Sequence, residues 1–192
     1  MGKGVRLVPF LLVALVVGVP ASGALPAEGE SATYEFKMCT EPLGATEHPP
    51  PCIAEAPNGH RLELFGEGIF KTGDEHVTGS GTFVHTDADG KPVVAGTWDA
   101  TKLVGFHGYG DGTRQGTPQA YEGGKAELRI VLNPAGGGVL PGIPQHEFAT
   151  LIINSAIGNS IADPVEGVKV LVDGALGFDK PAGGAAAFVR LA

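Results

Sequence analysis

Two stretches of the chain carry the same pattern: Leu64-Phe65-Gly66-Glu67-Gly68-Ile69-Phe70 and Val77-Thr78-Gly79-Ser80-Gly81-Thr82-Phe83 both read apolar, x, Gly, x, Gly, x, Phe. A two-residue period is the period of a β-strand. The apolar residue, both glycines and the Phe of each copy therefore share one face, the inner one, while Glu67, Ser80 and Thr82 point away from it. If the Lys71–His76 segment is a hairpin loop with Phe70 opposite Val77, Gly68 meets Gly79 and Gly66 meets Gly81. The next connection, Thr86–Lys91, carries an Asp-Gly turn signal, and a four-residue loop there places Gly96 beside Gly81 and Trp98 beside Gly79. These five glycines then form a bare patch next to the only tryptophan.

The rest of the chain fits the same architecture. Its 31 glycines and 15 prolines are dispersed, and the runs between them are short and rich in Val, Ile, Thr and Phe. Strands are predicted at Thr33–Met38, Arg61–Phe70, His76–Thr86, Pro92–Thr101, Leu103–Tyr109, Lys125–Leu132, Glu147–Ile153, Gly167–Val172 and Ala185–Leu191, with one helical turn around Asn154–Ala162. Gly110–Gly124 and Pro134–Pro144 read as polar, glycine-rich surface loops. Along Lys125–Leu132, the residues Ala126, Leu128, Ile130 and Leu132 alternate with Lys125, Glu127 and Arg129, which is the signature of an antiparallel sheet with one buried face. The predicted fold is all-β: a single-domain antiparallel β-barrel of about eight strands, with a two-sheet β-sandwich as the alternative. The barrel comes first because closure leaves no edge strand to protect.

At the amino terminus, Lys3 and Arg6 precede the apolar run Leu7–Val19, and the small-residue tract Pro20–Ala24 follows. This order reads as a secretory signal peptide over residues 1–24, which predicts a secreted, extracellular or periplasmic protein. Removing Lys3 and Arg6 from 13 basic residues leaves 11 against 21 acidic ones, a net charge of about −10 that argues against nucleic acid and anionic lipid. No later segment has the uninterrupted apolar length of a membrane span, and a lipid anchor is not expected because the first cysteine is Cys39. The two cysteines, Cys39 and Cys52, are expected to form a structural disulfide around a proline-rich loop, a staple of roughly 3 kcal/mol in the chain-entropy model.

Several glycines on one strand face need a compensating reason. Either they let the sheet bend while Trp98 lies across bare backbone, or they floor a ligand cavity. In the second case the walls are Leu62, Leu64, Phe70, Val77, Phe83, Val94, Trp98 and Phe106, with His85 at the rim, and the natural guest is a small apolar molecule. The ligand-binding candidates are thus Trp98, Phe83, Phe70, Leu64, His85 and Phe106.

Other chemistry finds little footing. Six histidines are scattered without metal-ligand spacing, and Asp87-Ala88-Asp89-Gly90 reads as a turn, since Pro92, Val93 and Val94 follow where a calcium loop needs oxygen ligands. Ser80 in Gly79-Ser80-Gly81 lies in a strand and not at a nucleophile elbow, and no downstream helix follows the glycines to hold a phosphate. No spacing singles out a carboxylate pair among Glu63, Glu67, Asp99 and Asp111. Neither a cofactor, a metal nor a catalytic residue is predicted.

In plan, a chain of this length with Gly-x-Gly-x-Phe strands and an early disulfide resembles the small barrels of the dirigent and lipocalin kind. The resemblance is one of architecture: lipocalins place a Gly-x-Trp near their first strand, whereas Gly96-Thr97-Trp98 falls mid-chain, and no site residue carries over. The leading expectation is a non-enzymatic β-barrel that binds a small apolar ligand or acts as an extracellular interaction module. The alternatives are a barrel enzyme of isomerase, cyclase or dirigent-like type using His85 or Tyr109, and a purely structural extracellular protein.

Overall fold

The computed structural model describes residues 31–39, 51–113, 121–136, 146–159 and 163–191. The predicted signal segment lies outside these residues, as do residues 114–120 and 137–144 of the two predicted loops and most of the disulfide-enclosed loop; Gly110, Asp111 and Tyr121–Gly124, predicted as loop, are strand. Eleven strands follow in chain order: β1 (Thr33–Met38), β2 (Cys52–Glu55), β3 (Arg61–Lys71), β4 (Val77–Thr86), β5 (Pro92–Asp111), β6 (Tyr121–Pro134), β7 (Glu147–Ser155), β8 (Gly167–Val172), β9 (Gly177–Phe178), β10 (Lys180–Gly183) and β11 (Ala186–Arg190). All pairings are antiparallel, and β3 to β9 run as an up-and-down meander.

A hydrogen-bonded ring closes through six strands: β1–β3–β4–β5–β6–β11 and back to β1. β2 takes the front half of the β3 edge and carries β10, while β7, β8 and β9 extend from β6. The branches meet at the side of the ring, where a side chain at Gly167 would touch Pro181 at 3.2 Å. The all-β, antiparallel expectation holds; the six ring strands are paired on both sides, and the branches end in the short strands β9 and β10.

Alternation supplies the core. Tyr34, Phe36 and Met38 of β1, Leu128, Ile130 and Leu132 of β6, Leu151 and Ile153 of β7, and Val168 and Val170 of β8 are all buried. The hairpin register of β3 and β4 is the one predicted, with Phe70 opposite Val77, Gly68 opposite Gly79 and Gly66 opposite Gly81. The β4–β5 register differs by two residues: Trp98 lies opposite Gly81, and Gly96 opposite Phe83.

Turn chemistry accounts for that difference. Asp87 O accepts from Gly90 N at 3.0 Å and Asp87 N donates to Lys91 O at 2.9 Å, so a tight turn with Gly90 at φ +79° replaces the four-residue loop. Val93 is then an extra residue between the pairs Thr86–Pro92 and His85–Val94. A shift by an even number keeps every side chain on its own face, which is why Trp98 still points inward.

Other differences are local. Pro92–Thr101 and Leu103–Tyr109 form one strand, because bulges near residues 101, 104 and 109 break the alternation without ending the ladder. No helix occurs over the described residues 154–159; Asn154 and Ser155 complete β7 instead. β2, β9 and β10 carry no sequence signal, being two to four residues long, and Pro181 in β10 sits where the register breaks. Among the described residues no helix is long and apolar enough to cross a membrane.

Cys39 and Cys52 are bonded, with Cα atoms 5.5 Å apart. Both are buried, and a Cβ at Gly184, whose φ is +84°, would lie 2.3 Å from Cys39 Sγ.

Candidate functional site: an apolar end cavity beside a histidine pair

The glycine patch is filled. A Cβ on Gly66 would stand 2.2 Å from Trp98 Cζ2, and one on Gly81 2.5 Å from Trp98 Nε1. Phe36 covers the other pair, 2.6 Å from a Cβ on Gly68 and 2.7 Å from one on Gly79. Trp98 Nε1 donates to Phe65 O at 3.0 Å, so the buried indole keeps its hydrogen bond. Of the two reasons for the glycines, the geometry shows aromatic rings resting on bare backbone.

The six ligand-binding candidates separate accordingly. Leu64, Phe70 and Trp98 are fully buried core residues. Phe106 packs among Tyr34, Phe70 and Phe188, with ring centroids 4.7, 5.0 and 5.1 Å away, and one side of it lines an open groove. Only Phe83 and His85 face a cavity in common, and it lies at the end of the molecule away from Phe106 along β5.

That cavity, about 210 Å³, is walled by Leu62, Phe83, Val94, Leu132, Val172 and Phe178 together with Val93, Pro134, Ala175 and Leu176; its two ionisable residues are His85 and Glu147. The start of β3, the end of β4, the start of β5, the end of β6, the start of β7 and the end of β8 meet there, as an antiparallel meander requires of elements that turn at one end. The size is of the order that admits a single aromatic ring, since an engineered apolar cavity of about 150 Å³ takes up benzene.

His85 does not stand alone. Its Nε2 lies 2.9 Å from Nδ1 of His60, so one ring donates and the other accepts, and Phe178 meets the His85 ring edge-on at 5.4 Å. Burial, then the neighbouring His60, hold the His85 imidazole below its ordinary value, against the pull of Asp87. The neutral form is favoured. His60 is carried on the β2–β3 turn, in which Ala56 N donates to His60 O at 2.9 Å and Gly59 adopts φ +82°. Sequence reasoning missed it, although the Phe70–Val77 register extended backward places residue 60 diagonally across from residue 85.

The groove beside Phe106, about 540 Å³, is lined by Gly105, Phe106, His107, Tyr109, Lys125, Glu127 and Asp163. The Tyr109 hydroxyl donates to Asn154 Oδ1 at 2.9 Å, and the Asn154 amide in turn donates to Asp163 O and Val165 O. Burial, with Asp163 nearby, pushes the Tyr109 phenol up. Tyr109 is thus tied into a loop-pinning network, and His85 and Tyr109 lie in separate sites. Among the described residues no group of three or more His, Cys, Asp and Glu is placed to hold a metal ion.

No family model, curated protein or solved structure matches this chain. The resemblance in plan to dirigent and lipocalin barrels gains no support from these comparisons. The chemistry of the cavity rests on its own residues.

Proposed function

We propose that this protein is a secreted, non-enzymatic binding protein that holds a small apolar molecule in the end cavity beside His85. The observation that carries the reading is the cavity itself: ten of its twelve lining residues are apolar, and the ring of a neutral-favoured histidine supplies one polar contact. A buried disulfide suits an oxidising compartment, as does a leader-like amino terminus.

Ligand and fold are linked by mass action. A guest at about 100 times its Kd stabilises the folded state by about 2.7 kcal/mol, which raises Tm by roughly 5–10 °C in a chain of this size. The test is a melting screen of the purified protein against single-ring and short branched apolar compounds, with mass spectrometry of an organic-solvent extract. Narrowing the cavity with Val94→Phe is expected to abolish the shift. A screen that moves Tm nowhere, with an empty extract, leaves the interaction-module and structural roles in its place.

A further inference from the structure

Building on the end-cavity reading, we propose that the guest is a small protonated amine with an apolar body, its ammonium group held at Glu147 and its body among Leu62, Phe83, Val94 and Phe178. Among the described residues the lining carries one carboxylate, one imidazole and neither lysine nor arginine. Glu147 comes from β7 and His85 from β4, strands separated in the meander by β5 and β6, so the cavity brings together two polar groups that neither sequence nor strand pairing makes neighbours.

Each class of guest meets this lining differently. A carboxylate would face Glu147 with no cation to compensate it. A hydrocarbon would cover the Glu147 carboxylate without replacing its lost water contacts. An ammonium group supplies both the counter-charge and three donors for the carboxylate. Phe83 and Phe178 add aromatic surface against which the apolar body packs. Chain charge points the same way: the formal net charge is −8, which raises the local concentration of cations over anions.

Calorimetric titration of the full chain at pH 7.5 with 2-phenylethylamine, 2-phenylethanol and phenylacetate compares three head groups on one body. The amine is expected to bind about tenfold tighter than the alcohol, with the acid weakest, a ratio worth about 1.4 kcal/mol. Glu147→Gln is expected to lower amine affinity about tenfold while the alcohol stays within about twofold, and that second value also reports that the variant cavity is intact. If the alcohol matches or exceeds the amine, or if Glu147→Gln leaves amine binding unchanged, the amine assignment fails and the apolar cavity stands. If none of the three binds, the amine assignment fails, and the cavity reading falls with it only when the melting screen and the solvent extract are empty as well.

Discussion

Gly81 shows how little room the residue scale leaves. A methyl group there would lie 1.9 Å from Phe65 O and 2.5 Å from Trp98 Nε1, so backbone and indole would both have to move. Gly81→Ala is expected to cost about 1–3 kcal/mol, as overpacked cores do, and thermal melts followed by Trp98 fluorescence should show a drop of several degrees. An unchanged Tm would mean that the indole does not rest where it is placed. Ser155 presents the opposite case: its hydroxyl is buried and has no hydrogen-bond partner among the described residues. Ser155→Ala removes that stranded group and should raise stability by about 1 kcal/mol in urea denaturation, whereas a loss would reveal a partner for the hydroxyl.

At the scale of elements, β1 and β2 are joined by the Cys39–Cys52 bond and by the β3 edge they share. With a sequence separation of 13, the bond should contribute roughly 3 kcal/mol by restricting the unfolded chain, so the Cys39→Ser/Cys52→Ser double variant is expected to melt well below wild type. Equal denaturation midpoints for oxidised and reduced protein would contradict this. Glu166 performs a similar tying role without a covalent bond. Its carboxylate accepts from Ala156 N at 2.5 Å and from Ala186 N at 2.8 Å, joining the segment after β7 to the start of β11. Burial pushes that carboxyl up, and the two amide bonds only partly oppose the effect.

For the whole molecule, stability against pH combines groups of opposite sign. The fold favours neutral His85, so protonation opposes folding: its contribution is complete above the unfolded imidazole value of about 6.5 and is lost as pH falls below it. Glu166 acts in the other direction, since a carboxyl raised by folding contributes stability at low pH that disappears as pH rises through the raised value. The wild-type profile sums both. Only its difference from His85→Phe isolates the imidazole, and the variant is expected to lose less stability than wild type between pH 7 and pH 5. Two Tm curves that stay parallel over that interval would show that His85 does not titrate against the fold.

Sequence alone determined the all-β class, most strand positions, the β3–β4 register and the inward aim of the glycines and Trp98. Alternation is a local property, and a two-residue period survives even where the register shifts, as it did between β4 and β5. Tertiary structure decided the rest. The bulges of β5, the route of the six-strand ring and the convergence of His60, His85 and Glu147 depend on how distant strands close on one another, which no local pattern encodes. Whether the bare glycines would hold a guest or an aromatic ring was likewise settled only by volume: Trp98 and Phe36 fill that space, and the open space lies instead at the strand ends around Phe83 and His85.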